Sequence, residues 1–446
     1  MKSNQLITSA VILWASLTVS SVSYAQPSVL TSDQDGLFAV DKQANIWGTN
    51  QVEGKYAQQV VKFSGKRTQF SRKAYTGSLI RALKPKNSNV VHNTEGTVEQ
   101  VWPLPDGTVL FMAGVKGKNY LYKLNPKTNT VGNNNLGNYN NKQAVMNVGE
   151  SYDSRLKKNV HYEDIRGLHQ RSLLVAKVAG KTVLFFGDYN VNRNRVKGGA
   201  GDAVGLWQST DMGNTWRSVV KWNTNGLHAV DHIHGLRQNP YNGWIYILFG
   251  DDKDEPGIVA WNGVSRAIPN NTPLANIGLK NRYSGWRALS GTQNVRAGDI
   301  VFTKDKCVWL PDRDFIKPGS TLFGQRANHD LTGLQSTNPF YFGNGVSPIL
   351  AEIDAKGTIY WASFRSQFNP LAPTNETEKK LYLWTSTDSG FTWSLPVKID
   401  VYNNWTSVPQ NLFISSWGEL VLGGRGVIFD DAAKGDASGS SVYLRR

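Results

Sequence analysis

A single cysteine, Cys307, stands in 446 residues, which excludes a disulfide-stapled scaffold and a cysteine-ligated zinc cluster. Methionine is scarce at four, and Ala- or Leu-rich runs are few, which argues against a helical bundle. Beyond the first residues no apolar run is long enough to span a bilayer. Acidic residues are short too: 34 Asp and Glu against 49 Lys and Arg leave a net charge of +15. What the chain has instead is 43 Gly, 15 Trp, 17 Tyr and 17 Phe. Aromatic sequences punctuated by glycine favour strands over helices. A hydrophobic content of 40% is that of a folded globular chain.

Residues 1–25 read as a secretory signal peptide. Lys2 supplies the positive start, Leu6 to Val22 an apolar stretch diluted by Ser and Thr, and Ser23-Tyr24-Ala25 a small-x-small cleavage site. The remainder, 26–446, is then expected to be secreted or periplasmic, monomeric and without a membrane span. The leader takes one lysine and no acid with it, so the remainder carries +14. Such a surplus suits nucleic acid, a membrane surface or an anionic polymer. Export argues against nucleic acid. The charges are scattered in small groups such as Lys66-Arg67 and Lys157-Lys158, and the expected partner is an acidic polysaccharide or glycan.

Two segments, Ser209 to Trp216 and Ser386 to Trp393, both read S-x-D-x-G-x-T-W and lie 177 residues apart, close to three units of about 59. The chemistry is that of a hairpin turn. The carboxylate accepts backbone N–H groups, glycine supplies a positive φ, and tryptophan packs into the sheet. A second repeat is independent of the first. Alternating apolar strand pairs recur over 36–50, 99–114, 169–189, 232–252, 296–312, 347–365 and 410–425, with most starts 63 to 70 residues apart. Each unit has room for four short strands, the size of a propeller blade. The expected fold is all-β, a single β-propeller of seven four-stranded antiparallel blades. Six is the fallback if the first unit completes the sheet of the last.

The octapeptides are Asp-boxes and resemble those of the sialidase-like (BNR-repeat) β-propellers. In that family the boxes lie away from the active site, so the resemblance implies the fold and not an activity. Arg296, Arg365 and Arg425, on successive later units, resemble the family's carboxylate-binding arginine triad by position in the repeat. No Arg-Ile-Pro segment precedes the first unit.

Blade geometry locates a site without a catalytic motif. The start of the first strand and the end of the second emerge on one face, beside the central channel. His169 precedes Asp188 by 19 residues, and His232 precedes Asp251 by the same 19, one unit later. Residues i and i+2 of a strand point the same way, so His232 shares a face with His234, and His169 with Arg171. Tyr189, Asp252, Arg296, Asp312, Arg365 and Arg425 complete the expected rim.

Three chemistries could use it. A lyase needs a cation for a uronate carboxylate, a base near neutral pKa and an acid for the leaving oxygen; Arg and His suit the first two, and Tyr189 or Tyr283 the third. A glycoside hydrolase would use carboxylates or a tyrosine nucleophile. No cofactor is required by either, whereas a divalent metal at His232, His234 and Asp251 is the third option. The expected function is cleavage of an anionic, uronate- or ulosonate-containing glycan by lyase or hydrolase chemistry. Its catalytic set is His169, His232, His234, Tyr189 and Asp251. Its substrate-binding set is Arg171, Arg296, Arg365, Arg425, Asp188, Asp252 and Asp312. The alternative is a non-catalytic glycan- or protein-binding propeller of the envelope.

Overall fold

Each of the seven strand pairs expected from the sequence becomes the first hairpin of an antiparallel sheet. The computed structural model describes residues 35–51, 57–64, 71–75, 98–115, 118–131, 134–135, 145–146, 149–153, 158–162, 169–189, 204–222, 230, 232–250, 256–277, 279, 282–312, 321–341, 348–363, 380–400, 408–415, 418–425 and 443–444. Residues 1–25, Asp251, Asp252 and Arg365 lie outside these, as does the side chain of Arg425.

The first sheet joins Asp35–Val40, Ile46–Gln51, Ala57–Ser64 and Ser71–Tyr75. The second has five strands, Val98–Pro103, Val109–Val115, Lys118–Asn125, Thr130–Val131 and Asn134–Asn135. The third is Leu173–Val178, Lys181–Gly187, Val204–Ser209 and Arg217–Trp222, and the fourth His232–Gln238, Ile245–Gly250, Gly257–Trp261 and Trp286–Ser290. The fifth is Val301–Phe302, Cys307–Trp309, Thr321–Ala327 and Gln335–Tyr341. Pro348–Ile353, Ile359–Ser363, Lys380–Ser386 and Val397–Asp400 form the sixth. The seventh has three described strands, Val408–Ile414, Leu420–Arg425 and Tyr443–Leu444.

First strands of neighbouring sheets pack on one another, as Leu173–Val178 does on His232–Gln238, and Pro348–Ile353 on Val408–Ile414. Asp35–Val40 meets Val408–Ile414, which closes the ring. The fold is an all-β propeller. Six blades carry four or more strands, the fallback number, and the three-stranded sheet packs between the sixth and the first. Two details depart from uniform four-stranded units: the fifth strand of the second sheet, and a separate hairpin, Gly149–Asp153 with Lys158–Tyr162.

The turns show why these residues form these sheets. Asp41–Asn45, Leu104–Thr108, Asp354–Thr358 and Ser415–Glu419 each exchange two backbone hydrogen bonds in one pattern: first N–H to fifth C=O, fourth N–H to first C=O. This is a hairpin turn with a left-handed fourth residue, here Ala44, Gly107, Gly357 and Gly418. Asp41 and Asp354 also cap the following aromatic, accepting from Trp47 Nε1 at 2.8 Å and from the Tyr360 hydroxyl at 3.0 Å.

Both octapeptides close the outer hairpins of their sheets. Asp211 accepts from Thr215 N at 2.9 Å, Thr215 Oγ1 at 2.6 Å and Ser209 Oγ at 2.8 Å. Asp388 repeats the set with Thr392 N, Thr392 Oγ1 and Ser386 Oγ at 2.9, 2.6 and 2.8 Å.

Between sheets the core is aromatic. Trp222, Trp286 and Phe249 are buried in one cluster with Phe185, and Trp309, Trp361 and Trp384 in another. Burying one phenylalanine such as Phe185 fully is worth roughly 1.5–3 kcal/mol. Cys307 belongs to the second cluster, and burial pushes its thiol up to about 12, so it is inert.

Candidate functional site

A β-bulge shapes the site. His232 pairs with Gly250 and Ile233 with Phe249, but the register then skips to Gly235, leaving His234 as the extra residue. The first strands of the first, second, sixth and seventh sheets shift register in the same way near their starts. Bulges bend a strand and re-aim a side chain, and in the fourth sheet the side chain re-aimed is a histidine.

The two imidazoles face one another, Nε2 to Nε2, at 3.1 Å. Ala297 O lies 3.0 Å from His234 Nδ1. A carbonyl only accepts, so His234 carries a proton on Nδ1, and one further proton lies between the two Nε2 atoms. The Tyr189 ring lies on His232 with centroids 4.0 Å apart, and 6.4 Å from that of His234. Gly250 makes the room: a Cβ there would collide with His234 Cε1 and lie 2.9 Å from Arg296 Cγ. Asp312 Oδ2 stands 3.6 Å from Arg296 Nη2 and 3.8 Å from His234 Nδ1, and Asp312 N donates to Arg296 O at 2.7 Å. His232 and His234 are each only 1% exposed.

The structure therefore brings together His232, His234, Tyr189, Arg296 and Asp312 from the third, fourth and fifth sheets. Asp188 adjoins them as a strap. Its Oδ2 accepts from Trp207 Nε1 at 2.7 Å and Gly205 N at 3.2 Å, and its carbonyl accepts from Ile233 N at 2.9 Å. His169 is fully buried, with Nδ1 accepting from Arg171 N at 3.1 Å. Burial pushes its pKa down to about 3, with Arg171 and His234 adding to the fall against the pull of Asp299, so the ring is neutral.

Arg171 is drawn away from the histidine pair into an ionic lattice. It donates to Asp299 Oδ2 at 3.3 Å, Glu352 Oε2 at 3.0 Å, Ala351 O at 3.1 Å and Leu412 O at 2.8 Å. Arg237 grips Asp299 bidentately at 2.8 and 2.9 Å and also donates to Ala351 O. Burial alone raises the pKa of Asp299, but Arg237 and Arg171 overcome it and hold the group at about 2. This lattice ties together the third to seventh sheets. Sequence reasoning missed Arg237, Asp299 and Glu352. Trp286 is 1% exposed, its ring stacked on that of Trp261 with centroids 5.0 Å apart.

The Nε2 separation is close to the chord of about 3.3 Å between two ligands of a tetrahedral zinc with bonds of about 2.0–2.1 Å. Among the described residues, however, no group of three or more His, Cys, Asp or Glu is placed to hold a metal ion.

No family model and no curated protein matches this chain. Among solved structures it is similar to the extracellular domain of a hybrid two component system from B. thetaiotaomicron, at 12% identity and a TM-score of 0.46, over 94% of this chain and 40% of that one. It is similar to YCF48 bound to D1 peptide at 10% identity and 0.44, over 95% of each chain. An exo-beta-1,3-galactanase from Phanerochaete chrysosporium aligns at 11% and 0.34, over 67% of this chain and 63% of that one. The chain thus spans about two fifths of the first of these. At such identities the likeness concerns the fold alone. Among the described residues no helix is long and apolar enough to cross a membrane. The molecule is a β-propeller with a buried polar cluster where the first strand of the fourth sheet begins.

Proposed function

We propose that this propeller is exported and cleaves an anionic, uronate-containing glycan by elimination at the histidine pair. The observation that carries the reading is the His232–His234 contact of 3.1 Å with Tyr189 lying on it and Arg296 across Gly250. The pair takes the proton from C5 of the uronate, the C4–O bond breaks, the C4=C5 double bond forms, and a hydroxyl group protonates the leaving oxygen. Arg296 neutralises the carboxylate, which makes the C5 proton removable. The histidine pair suits the base because imidazole nitrogens both take up and pass on protons, and the two rings are joined Nε2 to Nε2. Tyr189 is the acid. From the sequence alone, Asp251, Asp252, Arg365 and Arg425 are proposed to act with this set.

Hydrolysis by a carboxyl pair fits less well, because Asp188 is held by Trp207 and Gly205 while Asp312 faces Arg296; hydrolysis with Tyr189 as nucleophile is the other route this site offers. The burial of His232 and His234 favours a second reading, a non-catalytic glycan- or protein-binding propeller. The purified protein should be incubated with a panel of uronate-containing polysaccharides. Elimination gives a product with ultraviolet absorbance from the new double bond. New reducing ends without it would indicate hydrolysis, and binding without either would support the second reading.

A further inference from the structure

A cavity of about 420 Å³ opens at the other end of the first strands, away from the histidine pair. Its wall comes from the late parts of these strands in the first, second, fourth, sixth and seventh sheets, and from the start of the third. The volume is that of a small-molecule site. We propose that it binds a neutral sugar, as a second site distinct from the cleavage centre.

Charge balance and the hydrogen bonds left to make select the ligand. Arg171, Arg237 and Glu352 line the cavity with side chains 14%, 17% and 18% exposed, and Asp299 lies behind them fully buried. Two guanidiniums thus face two carboxylates. An anion entering would meet Glu352 and a cation would meet both arginines, each after losing its water, which is costly for an ion. A neutral ligand escapes that cost.

It must still be polar. The hydrogen bonds of Arg171 and Arg237 leave from Nε and Nη2; among the described residues Nη1 of Arg171 makes none, and Nη1 of Arg237 stands 3.8 Å from Glu352 Oε2, beyond hydrogen-bond reach. Gln170 donates to Val101 O, and its Oε1 has no partner among the described residues. Hydroxyl groups both donate and accept, so one kind of group serves guanidinium and carboxylate alike. The remaining wall is apolar apart from Asn411. Trp102, Phe413, Leu174 and Val175 offer surface to the C–H faces of a pyranose. The polar groups are preset by Trp102 Nε1 donating to Gln170 O at 2.9 Å and by the ionic lattice.

The test is calorimetric titration of the whole protein with methyl β-glucoside, methyl β-galactoside, xylobiose and cellobiose, against glucuronate and glucosamine as charged controls. Val175 is 37% exposed at the cavity wall, so Val175→Trp obstructs the space without removing a buried group. Glu352→Gln alters the charge balance. At least one neutral sugar should bind, Val175→Trp should weaken it by about tenfold or more, and glucuronate should bind about tenfold more weakly than that sugar. Glu352→Gln should narrow the gap for glucuronate. The proposal is overturned if no neutral sugar binds, if Val175→Trp leaves binding unchanged while the variant melts like the parent, or if glucuronate binds as well as the neutral sugars. No step depends on turnover, so failure of the cleavage reading would leave this result intact.

Discussion

His232 and His234 share a single proton across 3.1 Å, Nε2 to Nε2, and Ala297 O accepts from Nδ1 on the far side of His234. Neither ring can be replaced without stranding the other. His234→Gln keeps a hydrogen bond to Ala297 O within reach but cannot take up a further proton. General acid–base groups contribute about 10²–10⁴-fold, so kcat for glycan cleavage should fall by that order with KM nearly unchanged. Initial rates followed by ultraviolet absorbance check this, and an unaltered kcat would contradict the assignment.

Asp299 holds two buried guanidiniums and two backbone N–H groups, Ile300 N at 2.8 Å and Ala351 N at 2.9 Å. Asp299→Asn leaves two guanidiniums facing the single carboxylate of Glu352 and should cost about 3–5 kcal/mol in urea unfolding. The same group sets an acid limit. Its folded pKa of about 2 lies below the unfolded value of about 3.9. Its contribution is therefore complete above about pH 4 and disappears as the pH falls towards 2, on the order of 2–3 kcal/mol in all.

His169 acts in a higher window. The unfolded ring titrates near about 6.5, whereas the buried one titrates at about 3. The unfolded chain thus binds a proton first, and stability should be lost as the pH falls from about 6.5 towards 3, by up to about 1.4 kcal/mol per pH unit from this group. His169→Gln should flatten that part of the stability–pH curve relative to the parent. Equal slopes in parent and variant would exclude the buried neutral ring as the cause.

Two glycines of positive φ separate strain from crowding. Gly357 (φ 85°) has nothing within 4 Å of where a Cβ would stand, so Gly357→Ala should cost about 1–2 kcal/mol from backbone conformation alone. Gly390 (φ 77°) lies in the second octapeptide, where a Cβ would collide with Val308 Cγ1. Gly390→Ala should cost at least about 1 kcal/mol more, because a packed core resists added volume. Chemical denaturation of the two variants gives the comparison, and equal losses would contradict it.

The fold was legible because its signals are local. The octapeptide places Asp211 and Thr215 four residues apart, where one turn joins them, and each hairpin alternates within a dozen or so residues. The grouping of His232 with Asp312 followed from unit spacing plus propeller geometry. The ionic lattice was not legible. Arg237, Asp299 and Glu352 come from three different sheets with no recurring spacing, and they meet only after the ring closes. Strand parity also failed to forecast it. The bulge at His234 shifts the alternation, so simple counting from His232 gives the wrong face for Arg237.

The most direct measurement is a crystal structure of the protein soaked with an unsaturated uronate disaccharide, the expected product class. The account predicts the sugar carboxylate within hydrogen-bonding distance of Arg296, with its C5 facing the His232–His234 pair and Tyr189. A disaccharide bound elsewhere on the propeller, with Arg296 still facing Asp312, would contradict it.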